Sequence, residues 1–231
     1  MSLLSVRDLV VTLSGLRILH GVSFEAAESG VTVLLGRNGA GKTTTLRAIL
    51  GLAPATGSVE LAGEPVLGTR THALVRRGLG YVPEDRCVFA GLTVAENLRL
   101  AERGTPDYDL VFGLFPELRK RSAQRAGSLS GGQQQMLSLG RVLLNDNRLL
   151  LVDEPTKGLA PKVVTEVAEA LERVAERVPV LLVEQNLAVV RRLGRAAVVL
   201  AAGRVAWRGD AKELLGDHDR TKSLLGVGSH S

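Results

Sequence analysis

A single cysteine, Cys87, rules out any disulfide within this 231-residue chain and fits a reducing compartment. Aromatic residues make up only 3% of it, so the core has to be assembled from Val, Leu and Ala. Charged residues or glycines interrupt every apolar run well short of the roughly 18 residues that cross a bilayer. The opening MSLLSVRDLVV has neither the basic start nor the continuous apolar stretch of a secretory signal. A disulfide scaffold and a membrane-spanning helix are thereby excluded, and a soluble, cytosolic protein is expected. What is present is ordinary for a globular chain, with 45% hydrophobic residues and length enough for a large core. The net charge of +5 is scattered and paired with acids, as in ALERVAERV, and no aromatics interleave with the basic residues. A mildly positive solvated surface accounts for that pattern, so nucleic acid is not an expected partner.

Strands and helices alternate along the chain. Residues 3–35 hold β-rich segments (LSVRDLVVTL, ILHGVSFEA, GVTVLLG) parted by Ser/Gly turns, which predicts antiparallel strands and then a buried strand. A helix over TTTLRAILG stops at Gly51. Residues 70–128 are mostly helical (THALVRRG, TVAENLRLAERG, YDLVFGLFPELRKR) around one short strand, LGYVP, and a further helix covers 132–145. The strand LLLV follows at 149–152. In PKVVTEVAEALERVAERV, the residues Val163, Val164, Val167, Leu171, Val174 and Val178 recur at helical spacing as one apolar stripe. Strands PVLLV and AAVVLA, a hairpin around AAGRVAW and short helices close the chain. The expected fold is α/β, a mostly parallel sheet with helices on both faces, joined by an antiparallel β subdomain and a helical insert. One unit spans 1–231, with about 1–69 and 146–231 as the core and about 70–145 as the helical subdomain.

Three motifs carry chemistry. GRNGAGKT, Gly36 to Thr43, matches G-x-x-x-x-G-K-[ST] and sits between the strand VTVLL and the helix TTLRAIL. Gly36, Gly39 and Gly41 let the backbone wrap so that amides aim at phosphate oxygens at a helix N-terminus. Arg37, Asn38, Ala40 and Thr44 complete the cradle. Lys42 adds a point charge for the β- and γ-phosphates, and Thr43 offers a hydroxyl to Mg²⁺. The second motif, LLLVDE, places Asp153 at the carboxyl end of a buried strand, where it can hold Mg²⁺ or its water. Glu154 follows as a general base for the attacking water. The third, LSGGQ, opens a helix with Ser130, Gly131, Gly132 and Gln133, a second set of exposed amides with a hydroxyl. Its plainer reading is a serine N-cap, although a cap needs no paired glycines.

Phosphate loop, LSGGQ and LLLVDE in this order resemble the ATP-binding cassette family over about residues 4–226. YVPEDRCVFAGLTVAENL, LFPELRKR, DEPTKGLAP and LLVEQN are similar to the ATPase subunits of branched-chain amino acid importers, the LivF type. Cassettes for urea or short amides share much of this pattern. The resemblance implies an ATP-hydrolysing fold in which the nucleotide lies between two cassettes placed head to tail. Ser130, Gly131, Gly132 and Gln133 would then contact ATP held by a second cassette subunit, identical or different. Integral membrane permeases would be partners, docking near Glu84 to Phe89, and a solute-binding protein would take part indirectly. The chain itself would lie on the cytoplasmic side of the membrane.

The same resemblance puts Gln185 at the switch position beside the γ-phosphate, where most cassettes have histidine. An amide there donates and accepts hydrogen bonds but never becomes cationic. Glu84 takes the place of a metal-sensing glutamine and is a hard oxygen ligand for Mg²⁺. Leu13 replaces the aromatic residue that stacks on adenine, and Ala160 replaces an aspartate. An importer ATPase for amino acids is the main expectation. The alternatives are other small polar solutes, or a regulatory cassette without significant turnover.

Overall fold

Alternating burial sets up the first two strands, β1 (Ser2–Leu13) and β2 (Leu16–Ala27). Ser14 and Gly15 join them, both at positive φ, in the two-residue turn whose twist matches that of the strands. The computed structural model describes residues 2–226. β3 (Val31–Gly36), buried at every position, runs into the loop that precedes α1 (Lys42–Ile49). There follow β4 (Ala55–Leu61), β5 (Glu64–Pro65), α2 (Thr71–Arg76), β6 (Leu79–Val82), α3 (Val94–Arg99), α4 (Tyr108–Leu114), α5 (Pro116–Lys120) and α6 (Gly131–Leu143). The remainder is β7 (Leu149–Asp153), α7 (Pro161–Ala175), β8 (Val180–Val183), α8 (Leu187–Leu193), β9 (Gly194–Ala201), β10 (Arg204–Asp210), α9 (Ala211–Gly216) and α10 (His218–Leu225).

Two sheets result. The smaller has the order β2-β1-β4-β5 and is antiparallel throughout. The larger has the order β10-β9-β3-β8-β7-β6, parallel from β9 to β6, with β10 antiparallel at one edge. This is the expected α/β class with its separate antiparallel sheet.

Burial on both faces explains why the central strands read as continuous apolar runs rather than alternating ones. Leu149 and Leu151 of β7, with Leu34, Leu181 and Val183, join a core shared with α1 and the antiparallel sheet. Leu150 and Val152, with Val33, Leu35 and Leu182, face the opposite way into a core built with α6, α7 and α8. The α7 stripe lies on this second core, with Val167, Leu171 and Val174 buried and Val163, Val164 and Val178 packed at its margin.

The register positions the site. Leu34 of β3 pairs with Val183 of β8, and Val183 pairs with Asp153 of β7. Three neighbouring strands therefore end together, each delivering a motif to one edge, which is where ligands bind in open α/β sheets.

Some expectations differ in detail. The strand LGYVP is not enclosed by the helical insert: as β6 it pairs with β7 and forms an edge of the parallel sheet. The proposed division at residue 70 thus cuts through the sheet, because local helical composition around the strand hides its distant pairing. YDLVFGLFPELRKR is two helices rather than one run, since Pro116 cannot continue α4 and instead starts α5. TVAENLRLAERG is helical only over Val94–Arg99, with Thr93 and Glu96 closing a capping box at its start.

Leu151→Ala removes a side chain with no exposed surface from the middle of β7. It is expected to lower stability by about 2–5 kcal/mol. Leu100→Ala, at a position 62% exposed, should change it by less than about 0.5 kcal/mol. Urea denaturation of both variants checks the contrast.

Candidate functional site

The loop after β3 is shaped by its glycines. Gly36 (φ 148°) leaves no room for a Cβ against the carbonyl of Leu200, and at Gly41 (φ 103°) a Cβ would lie 2.5 Å from Leu19 Cδ2. α1 begins on Gly41 with no side-chain cap and no acid in its first turn. Its leading amides and the positive end of its dipole are left for an external anion. Lys42 is buried, with Nζ donating to the carbonyls of Gly36 (2.9 Å) and Arg37 (3.2 Å) and lying 3.6 Å from Glu154 Oε1. Its ammonium is thus held inside the cradle. Asn38, Gly39, Gly41, Lys42, Thr43 and Thr44 line one cleft together with Ile18, Glu84, Glu154 and Lys157.

The end of β7 brings acids to this cleft. Asp153 is fully buried, and burial pushes its carboxyl up to about 6, with the nearby Glu154 and Glu84 adding to the effect. The Thr43 hydroxyl donates to Asp153 Oδ1 at 3.2 Å and opposes the shift. Among the described residues, Asp153 Oδ2 is buried without a hydrogen-bond partner. A hydroxyl and a carboxylate in contact, with one carboxylate oxygen unmatched, fit a hard cation such as Mg²⁺. Among the described residues no group of three or more His, Cys, Asp or Glu forms a metal cage by itself. Any ion here would need phosphate oxygens or water to complete its shell.

Glu84 lies in the same region, but its carboxylate is engaged: Lys157 Nζ sits 2.5 Å from Glu84 Oε1 and 3.4 Å from Glu154 Oε2. The hydrogen bond to Glu84 and the charge of Glu154 raise the lysine's pKa. The motif reading passed over Lys157; its only signal was a cation three residues beyond Glu154. Glu154 itself adopts φ 42°, a left-handed conformation that costs a non-glycine residue free energy and is characteristic of functional sites. Gln185 follows β8 and donates from Nε2 to Asn38 Oδ1 (2.8 Å) and to Glu154 Oε1. The side-chain amide of Gln185 therefore spans the cleft from Asn38 to Glu154.

Other candidates stand apart. Leu13 is 38% exposed at the end of β1 and does not line the cleft, whereas Ile18 does. Ser130, Gly131, Gly132 and Gln133 do not line it either. Ser130 and Gln133 close a capping box on α6: Ser130 Oγ accepts from the Gln133 amide, and Gln133 Oε1 accepts from the Ser130 amide. Gly132 has a packing reason of its own, since a Cβ there would collide with Val163 of α7.

Comparison with known proteins gives the family. The family model described as "ABC transporter" matches residues 19–157. The chain is 40% identical to the high-affinity branched-chain amino acid transport ATP-binding protein BraG of Pseudomonas aeruginosa, covering 95% of this chain and 98% of that protein. It is 36% identical to the probable branched-chain amino acid transport ATP-binding protein LivF of Archaeoglobus fulgidus, covering 90% and 92%. Among solved structures, an ATP-binding subunit of an ABC transporter superposes with a TM-score of 0.80 at 28% identity over 98% of this chain and 96% of that one. A nucleotide-free cassette superposes with a TM-score of 0.83 at 23% identity over 99% and 100%, a likeness of fold.

Gly132→Ala should destabilise the protein by about 1–3 kcal/mol, overpacking against Val163 outweighing the better helix propensity of alanine. The double variant Gly132→Ala/Val163→Ala should be more stable than Gly132→Ala alone. Urea titration of the two variants tests whether this glycine serves packing.

Proposed function

Because the chain belongs to the ABC transporter family, we propose that it is the ATP-hydrolysing subunit of an importer for branched-chain amino acids. The family's cassettes bind ATP and hydrolyse it to power transport, and this chain does the same. The relatives BraG and LivF support the solute. The observation that carries the reading is the meeting of Lys42, Thr43, Asp153, Glu154 and Gln185 where β3, β7 and β8 end.

The triphosphate enters the cradle of Gly36, Arg37, Asn38, Gly39, Ala40, Gly41, Lys42, Thr43 and Thr44. Lys42 exchanges its loop carbonyls for phosphate oxygens, which strengthens the hydrogen bonds by adding opposite charge. Thr43 and Asp153 are the residues that would hold Mg²⁺, with Glu84 reaching it only after leaving Lys157. Held by these residues, it would supply positive charge against the phosphates. Glu154 accepts a proton from the attacking water, and Gln185 orients that water and the γ-phosphate. Ile18, which lines the cleft, offers the base an apolar contact without stacking, and Leu13, which lies outside the cleft, adds to it only at the margin.

Ser130, Gly131, Gly132 and Gln133 serve the ATP of a second cassette. The capping box leaves the serine's own proton free to donate, so capping and phosphate contact are compatible. The chain divides into a core and a helical lobe of about residues 70–145, with β6 belonging to the core. No helix among the described residues is long and apolar enough to cross a membrane, so permease subunits supply the pathway for solute and hold this chain at the cytoplasmic face. They dock by the segment Glu84–Phe89, beside a cavity of about 420 Å³ lined by Tyr81, Pro83, Arg86 and Arg141. A solute-binding protein delivers the amino acid to those permeases.

With the cognate permeases and second cassette in one membrane preparation, ATP hydrolysis should be stimulated by solute-loaded binding protein. Lys42→Ala should weaken ATP binding. Glu154→Gln should retain binding and lose roughly 10²–10⁴-fold in turnover, the range for removal of a general base. Intact turnover in Glu154→Gln would contradict the assignment.

The raised pKa of Asp153 predicts a pH dependence with a definite sign. Below about 6 the buried carboxyl is protonated, and a cation must displace that proton to bind. The apparent Mg²⁺ requirement for ATP binding should rise as pH falls through about 6, and flatten above about 7, one unit beyond the transition. Mg²⁺ titrations of fluorescent-nucleotide binding at several pH values check this, with Asp153→Asn expected to lose the dependence.

A further inference from the structure

Glu184, the last residue before Gln185, is only 3% exposed. β8, which ends one residue earlier, reads VLLV, and another apolar residue would follow it at no electrostatic cost. Burying a carboxylate is costly unless donors compensate. Three do so. Glu184 Oε1 accepts the backbone N–H of Gln185 (2.8 Å) and of Asn186 (3.0 Å), while Oε2 accepts the hydroxyl of Thr156 (2.8 Å). None of the three is a cation, so the carboxylate is spent on fixing geometry, not on an ion pair.

Each bond fixes something adjacent to the chemistry. The two amides belong to the segment that presents Gln185. Asn186 continues the restraint as the N-cap of α8, its Oδ1 accepting from Ala188 (3.0 Å) and Val189 (3.4 Å). The backbone around Gln185 is therefore tied on both sides, while its side chain bonds to Asn38 and Glu154. Thr156, itself 5% exposed, lies two residues beyond Glu154, in the turn where the Lys157 amide donates to the Glu154 carbonyl. The loops carrying Glu154 and Gln185 are joined three times: through the Glu154 amide to the Val183 carbonyl (2.9 Å), through Thr156 to Glu184, and through Gln185 to Glu154.

We infer that Glu184 is a positioning residue which, by clamping Thr156 and the amides of residues 185 and 186, holds the Glu154 and Gln185 loops as one unit around the attacking water. The inference rests on the roles given above to Glu154 and Gln185. Glu184 lines a small cavity with Gly36 and Arg37. The hydrogen bonds of Glu184 and Thr156, however, go to each other and to residues 185 and 186 and not to Lys42 or Thr43, so the clamp acts mainly on turnover and little on nucleotide capture. A hydroxyl is all that the clamp requires at position 156. Serine preserves it, and valine, of nearly the same shape, leaves the carboxylate oxygen buried and unpaired.

The test uses the whole transporter, measuring kcat and KM for ATP. Thr156→Val should lower kcat about tenfold, the scale of a small misplacement of reacting groups, with KM within about twofold. Thr156→Ser should restore wild-type turnover. Thr156→Ala should behave like Thr156→Val, which guards against a folding defect peculiar to valine. Because Gln185 is one of the two groups the clamp positions, Thr156→Val should cost less in the Gln185→Ala background than it does alone, a non-additivity that general loosening of the fold would not produce. Should Gln185→Ala be slow while Thr156→Val and Thr156→Ala keep full kcat, or should the two losses simply multiply, the clamp is refuted and the site reading stands. Full activity in Gln185→Ala overturns both.

Discussion

Three parallel strands ending side by side impose the constraint on which everything else depends. β3, β8 and β7 are hydrogen-bonded neighbours, and their registers bring Gly36, Val183 and Asp153 to one edge. Hydrophobic burial on both faces of those strands fixes the registers, because Leu34, Leu151 and Leu181 fill one core while Leu35, Val152 and Leu182 fill the other. A slip by one residue would exchange the faces and scatter the motifs. Packing far from the nucleotide thereby sets distances at the nucleotide.

Electrostatics turns that edge into a site with an unmet demand. Asp153, Glu154 and Glu84 converge, and Lys42 and Lys157 balance them only in part. Asp153 pays for burial with a raised pKa, and one of its oxygens has no partner. Opposite lies the uncapped start of α1, rich in unmatched donors. In the proposed reading, a magnesium-bound triphosphate would supply both missing charges together. Lys42 and Lys157 would exchange their present partners for it, so that binding would combine docking with an exchange of ion pairs.

Much of this was legible in the sequence, for identifiable reasons. The phosphate loop is local: glycine, lysine and threonine at fixed spacing specify a turn whose chemistry does not depend on distant contacts. The strand LLLV and the stripe on α7 follow from period and burial. β6 was misplaced because its pairing with β7 links residues far apart in the chain, and its helical neighbours suggested a different setting. Lys157, Thr156 and Glu184 escaped for the same reason. Each looks like an ordinary loop or strand-end residue until folding sets Lys157 against Glu84 and Thr156 against Glu184. LSGGQ sits between these cases, since the structure gives Ser130 a capping bond and Gly132 a packing contact that no pattern distinguishes from a ligand site.

Hydrogen–deuterium exchange at the amides of residues 38–43 gives the most direct test that this edge grips a triphosphate. Recorded on the assembled transporter with and without magnesium and a non-hydrolysable ATP analogue, those amides should become strongly protected when nucleotide is present, and the protection should vanish in Lys42→Ala. Unchanged exchange in the wild-type protein at saturating nucleotide would contradict the account.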